Sequence, residues 1–153
     1  MFLGEFKHTI DEKGRVTIPA KFRARLMEGA VVTRGLGAHT CLFVYPIDEW
    51  MKLTEKINSQ DLSQEKADAL SYFIYGNASD CKPDRQGRIL IPANLRKYAG
   101  FESEIVIVGL LTHFAIWSQE NWQEAQLKIE QTGKSIVKDL PSLMRSVAGV
   151  GRE

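Results

Sequence analysis

Apolar and polar residues alternate on the approach to Asp11 and again across Val16-Thr17-Ile18, the two-residue period of a half-buried strand. Between these strands lies Asp11-Glu12-Lys13-Gly14, which predicts a hairpin loop. Asp starts turns by bonding the backbone through its side chain, and Gly takes the positive φ that a bulged hairpin demands. Pro19 then stands where the first turn of a helix tolerates a missing N–H, and Ala20 to Leu26 continues with strong helix formers. Two more strands are predicted near Ala30 to Arg34 and Leu42 to Tyr45, joined by a Gly-containing loop that carries His39, and a helix follows from about Asp48.

The same order returns later in the chain. Asp11-Glu-Lys-Gly14-Arg15-Val-Thr-Ile-Pro19-Ala20-Lys-Phe-Arg23 is matched by Asp84-Arg-Gln-Gly87-Arg88-Ile-Leu-Ile-Pro92-Ala93-Asn-Leu-Arg96, with Asp, Gly, Arg, Ile, Pro, Ala and Arg in register. Gly35-Leu36 and His39 are echoed by Gly109-Leu110 and His113, Leu42 to Tyr45 by Phe114 to Trp117, and Trp50 by Trp122. The chain therefore divides into a first module at 4–51, a helical connector at 52–79, a second module at 80–123, and a helix continuation with a C-terminal tail at 124–153. In the second module strands are expected near Ile105 to Val108 and Phe114 to Trp117, then a helix capped by the Ser118 hydroxyl. The connector starts a helix at Asp61-Leu-Ser63, with Leu70, Phe73 and Ile74 at core spacing. After Thr132-Gly133 a basic, moderately apolar tail is expected, loose at its end. The fold class is mainly β with packed helices, α+β by content.

Composition adds bounds to this picture. With 153 residues, 44% hydrophobic and 25% charged, the chain suits one compact domain, or two small modules sharing a core, and not a disordered or collagen-like polymer. No basic and apolar leader follows Met1, and no apolar run approaches the ~20 residues of a membrane-spanning helix, so a cytoplasmic protein without membrane partners is expected. Cys41 and Cys81 lack paired C-x-x-C spacing and are read as buried thiols. The formal net charge is only +1, but residues 4–26 and 81–98 together carry +7 and the rest of the chain −6. The two basic windows coincide with the two copies of the repeat.

That coincidence points to the Asp-x-x-Gly-Arg loops as the chemistry-bearing element. A rigid hairpin projects the Arg that follows its loop, and an Arg fork holds guanine O6 and N7 or grips a phosphate. A two-stranded ribbon fits the major groove. Lys13, Arg15, Arg85, Gln86 and Arg88 are thus the candidate DNA-binding residues, and Asp11, Gly14, Asp84 and Gly87 the loop-shaping ones. The competing reading is that Asp11 and Arg15, and likewise Asp84 and Arg88, simply pair across their turns.

Gly14-Arg15-Val-Thr-Ile-Pro19, Asp84-Arg-Gln-Gly-Arg-Ile-Leu-Ile-Pro92, Tyr45-Pro46-Ile-Asp-Glu49-Trp50 and Phe73-Ile-Tyr-Gly76, in this order, resemble the MraZ family from Met1 to at least Trp122. The resemblance implies a swapped-hairpin fold of the AbrB and MazE type, two AbrB/SpoVT-like modules forming a double-split β-barrel with helices outside. It also implies a ring-shaped homo-oligomer, associated with the nucleoid, that regulates the division and cell-wall gene cluster. Its partner would be double-stranded DNA, read as direct repeats in that cluster's promoter through the loops Asp11 to Arg15 and Asp84 to Arg88. One departure is Pro83, where an apolar strand residue is more usual; since proline cannot donate to a ladder, that strand end is expected at an edge or free.

Other candidates carry less. His39 and His113 fall at matching points of the repeat, but no Asp, Glu or Cys follows at ligand spacing, so they and His8 are read as surface or contact residues and no metal or other cofactor is expected. Gly35-Leu-Gly37 leads into a strand and so lacks the helix N-terminus of a phosphate loop. Trp50 and Trp122 read as core anchors. No nucleophile elbow or paired-carboxylate site occurs, so no enzymatic activity and no small-molecule substrate are expected. Two alternatives stay open: an antitoxin-like DNA-binding module, against which stands a tail (Lys134, Lys138, Arg145) that is not acidic, and a small barrel enzyme with an unrecognised site.

Overall fold

The computed structural model describes residues 1–37 and 39–141. Its elements are β1 (Glu5–Thr9), β2 (Arg15–Thr17), α1 (Ala20–Arg23), a 3-10 turn at Ala24–Leu26, β3 (Ala30–Arg34), β4 (Leu42–Pro46), α2 (Ile47–Asn58), α3 (Gln64–Ile74), a 3-10 turn at Tyr75–Asn77, β5 (Ser79–Cys81), β6 (Arg88–Leu90), α4 (Ala93–Ala99), β7 (Glu104–Gly109), β8 (Phe114–Ser118) and α5 (Gln119–Lys138). Met1–Asn121 form one compact unit, which holds all the strands of the described residues, and a second unit begins at Trp122.

All the strand pairs are antiparallel, and their order is an exchange between the two copies of the repeat. Six strands run β1-β7-β8-β4-β3-β5, and β2 pairs with β6 in a separate ribbon. Strand β1 thus leaves its own copy to lie along β7, with Phe6 opposite Ile107, and β5 leaves the second copy to lie along β3. Strands β4 and β8 meet in the middle. The central strands are covered on both faces: Ile105, Val106 and Ile107 are all buried in sequence, as is the whole of β8. Such continuous apolar runs have no face to give to water.

The main core draws on both copies at once. Phe2, Val16, Ile18, Phe22, Leu26, Val32, Leu42 and Val44 pack with Ile89, Ile91, Leu95, Ile105, Ile107, Phe114 and Ile116, and the rings of Phe2, Phe22 and Phe114 lie 5.0–5.4 Å apart. A smaller cluster gathers Val31, Tyr45, Trp50 and Ile74, with Leu53, Ile57 and Leu70 from α2 and α3 against it.

Local departures from the expected elements have identifiable causes. The helix expected from Ala20 to Leu26 is α-helical only to Arg23 and tightens to 3-10 for its last turn, because Gly29, at φ +118°, must already turn the chain into β3. Its counterpart α4 runs without a break to Gly100, whose left-handed backbone lets its N–H reach the carbonyls of Arg96 and Lys97. Ile18 lies beyond β2 and donates its N–H to the Gly87 carbonyl, while Ile91 donates to that of Gly14, both at 2.8 Å. Helix α2 starts at Ile47, one residue earlier than expected. Helix α3 starts at Gln64 and not at Asp61, since Ser63 is its cap, accepting from the Lys66 N–H at 3.3 Å. On α3 the inward stripe passes through Leu70 and Ile74; Phe73, one position back and about 100° round the helix, is 51% exposed and not in the core as expected.

Helix α5 continues through Gly133 to Lys138, so the stretch that follows Thr132-Gly133 begins as helix. One glycine costs only ~1 kcal/mol relative to alanine, too little to end a helix with Gln, Lys, Glu and Ile on either side. Ser118 caps this helix as expected, accepting from the Asn121 N–H at 3.0 Å. The expected loose chain end and Arg145 lie outside the described residues. Pro83 follows β5, the outermost strand beside β3, where no further ladder needs its missing donor. Among the described residues no helix is long and apolar enough to cross a membrane.

Candidate nucleic-acid interface

Each Asp-x-x-Gly-Arg loop is closed by its own aspartate. Asp11 Oδ1 accepts from the backbone N–H groups of Lys13 (3.0 Å) and Arg15 (2.8 Å), and its Oδ2 accepts from Arg15 Nε at 2.7 Å. Asp84 does the same with Gln86 N–H, Arg88 N–H and Arg88 Nε, all at 2.9 Å. The backbone repeats the match: Gly14 donates to Asp11 and Gly87 to Asp84, with φ of +84° and +76° at the two glycines. The amide of the following Arg, and then its guanidinium, hold each Asp carboxyl below its ordinary pKa.

The two readings of these loops are therefore compatible. Asp does pair with Arg, but it takes only Nε and the backbone amides. The two terminal nitrogens of Arg15 and of Arg88 have no protein partner among the described residues, on side chains 30% and 26% exposed. The ion pair fixes the direction of each fork and leaves its outer edge open, which is what a bidentate grip on a base or phosphate requires.

Strands β2 and β6 join the loops into one surface. Arg15 pairs with Leu90, Val16 with Ile89 and Thr17 with Arg88. Val16 and Ile89 are fully buried, so by the alternation of a strand Arg15, Thr17, Arg88 and Leu90 share the outward face. The loops sit at opposite ends of this ribbon, related by an approximate two-fold. Glu12 and Lys13 are exposed at the tip of one loop and Arg85 and Gln86 at the tip of the other, and Asp84, Arg85, Gln86 and Arg88 line a surface hollow of about 400 Å³.

Two residues that pack on the loops escaped the sequence reading. The Arg96 guanidinium lies over Gly14, and that of Arg23 over Gly87, each where a Cβ on the glycine would have to be. Arg23 donates through Nε to the Ile18 carbonyl at 2.9 Å, and Arg96 through Nη1 to that of Ile91. Each copy's arginine thus clamps the other copy's loop. The available signal was that these arginines close the matched run in both copies.

The remaining candidates lie elsewhere. His39 packs on Trp117, and His113 stacks on Tyr45 at 4.5 Å and 16°, so each copy's loop histidine meets the other copy's strand aromatic. Burial lowers the His113 pKa, against a smaller opposing pull from Glu49. His8 lies on β1 opposite Ile105. Among the described residues no group of three or more His, Cys, Asp or Glu is placed to hold a metal. Cys41 is buried and Cys81 half-buried; both are free thiols that burial pushes up to about 12. Trp50 and Trp122 are buried.

Comparison with known proteins agrees with this architecture of two copies. The family model described as "MraZ protein, putative antitoxin-like" matches twice in tandem, over residues 1–73 and 74–137. Similar proteins include the "Transcriptional regulator MraZ" of Natranaerobius thermophilus, 46% identical over 140 residues that cover 92% of this chain and 96% of that one. The protein of the same name from Caldicellulosiruptor saccharolyticus is 48% identical over 123 residues, 80% of this chain and 85% of its own. That from Desulfitobacterium hafniense is 44% identical over 143 residues, 94% of this chain and 99% of its own.

Proposed function

Since the chain belongs to the MraZ family, we propose that it is a sequence-specific DNA-binding transcriptional regulator whose reading head is the β2–β6 ribbon with its two Asp-x-x-Gly-Arg loops. The observation that carries this reading is the pair of arginine forks, each aimed by its own aspartate and open at its outer edge, at the two ends of one ribbon. Arg15 and Arg88 make the main contacts, and Lys13, Arg85 and Gln86 assist. Asp11, Gly14, Asp84 and Gly87 shape the loops. Modules 4–51 and 80–123 complete each other's sheet as a double-split barrel, the exchange of β1 and β5 being the feature that favours it.

The chain acts as a ring-shaped homo-oligomer on direct repeats in the promoter of the division and cell-wall cluster, in the nucleoid. A cyclic ring joins its subunits head to tail, so neighbouring heads point the same way along the duplex and read repeats, not a palindrome. Heads on one face of DNA are spaced by about one turn, ~10 bp, and one small head binds poorly where several bind by avidity.

Duplexes carrying one to four copies of the repeat, taken from a footprint on the promoter of the chain's own gene, test this. Affinity rises steeply with copy number and falls when five base pairs are inserted between copies. Equal affinity for one copy and three, or indifference to the insertion, overturns the ring mechanism. A 17 kDa monomer in light scattering at micromolar concentration does the same.

A further inference from the structure

The outward face of the ribbon carries one residue that neither folding nor an arginine grip accounts for. Leu90 is 57% exposed on a strand whose inward residue, Ile89, is fully buried, and it stands directly opposite Arg15, at a cross-strand Cβ separation of about 5 Å. Its counterpart in the first copy is Thr17, opposite Arg88. Since threonine serves the same strand position in the other copy, the backbone does not require a large apolar side chain there. A leucine left in water between two arginine forks is most economically covered by the surface that those forks grip. The major groove offers one apolar group, the C5-methyl of thymine.

Resting on the DNA reading above, we propose that Leu90 is a specificity-determining contact to a thymine methyl beside the base pair held by Arg15, and that its difference from Thr17 gives the reading head a direction. A head with true two-fold symmetry reads a palindrome. Here the approximate two-fold is broken on the reading face, by Thr17 against Leu90, Lys13 against Gln86 and Glu12 against Arg85. The long apolar side chain lies on the Arg15 half alone, and Thr17 brings only one short methyl to the other half, so the site needs a thymine beside the Arg15 base pair and makes no comparable demand beside the Arg88 base pair. Such a polar site is what direct repeats consist of.

Deoxyuridine differs from thymidine only by the missing methyl and isolates the contact. The probes are duplexes that the full chain selects from a random-sequence pool, with each thymine replaced in turn. One thymine per repeat is expected to weaken binding about fourfold on replacement, the value of one buried methyl group. In L90S that difference disappears. In T17L a second sensitive thymine appears at the two-fold-related position, a gain that a poorly folded variant cannot produce. An L90S variant as sensitive as the parent chain overturns the proposal, as does a change in its oligomer size, which would mean that Leu90 is covered by another copy of the chain. Absence of any sensitive thymine, with binding still lost in R15A/R88A, overturns this inference alone. Intact binding in R15A/R88A overturns the underlying reading of the loops.

Discussion

The loop glycines do two jobs that no other residue combines. Gly14 and Gly87 take left-handed backbone angles and leave the space over which Arg96 and Arg23 lie. Gly14→Ala therefore strains the backbone and displaces the clamp, at a cost of about 1–3 kcal/mol. Gly76→Ala, where nothing lies within 4 Å and φ is not positive, is expected to be neutral or slightly stabilising; urea midpoints of the two variants make the comparison. The loops were legible in the sequence because Asp, Gly and Arg act on neighbours within four residues. Arg23 and Arg96 were not, since each works on a loop more than sixty positions away in the other copy, and nothing local distinguishes a clamping arginine from a solvated one. The Asp11 and Asp84 carboxyls, held below their ordinary range by hydrogen bonds from the backbone N–H groups of Arg15 and Arg88, keep the loops closed at neutral pH. They release them only as pH falls through those depressed values.

Periodicity located the elements well, because a strand of alternating or continuous apolar residues and a helix with caps are decided over short stretches. What it misplaced was decided by packing. Phe73 lies off the stripe set by Leu70 and Ile74 and is left exposed. The turn between β7 and β8 shows the same dependence on distant partners: His113 reads as a loop residue, yet it stacks on Tyr45 of β4 and meets Phe43 edge-on. Burial favours its neutral form. Below the ordinary imidazole value of about 6.5 the unfolded chain takes up a proton that the folded chain refuses until lower pH. The stabilising contribution is thus full above that value and declines as pH falls through it towards the depressed folded value. Thermal melts from pH 7.5 to 5 are expected to show a fall in Tm that shrinks in H113F; an identical pH profile in the variant contradicts the assignment.

At the scale of the whole strand-bearing unit, neither copy owns a complete core or a complete sheet. Phe22 of the first copy touches Phe114 of the second, and β1 and β5 each pair with a strand of the other copy. The sequence displayed the repeat but not this exchange, which came only with the family resemblance, since periodicity says nothing about which copy a strand joins. The two copies are accordingly expected to unfold together. Phe22→Ala costs about 3–5 kcal/mol and shifts circular dichroism and tryptophan fluorescence along one coincident transition, whereas independently folded copies would give two. The same reciprocity presents both arginine forks on one ribbon, and the central claim is that this ribbon is the DNA-reading head. Fluorescence anisotropy of R15A/R88A on the duplex that the parent chain selects tests it most directly. The account predicts a loss of at least about thirtyfold, the lower bound for two bidentate contacts, with an unchanged melting temperature; undiminished affinity in a folded double variant would contradict it.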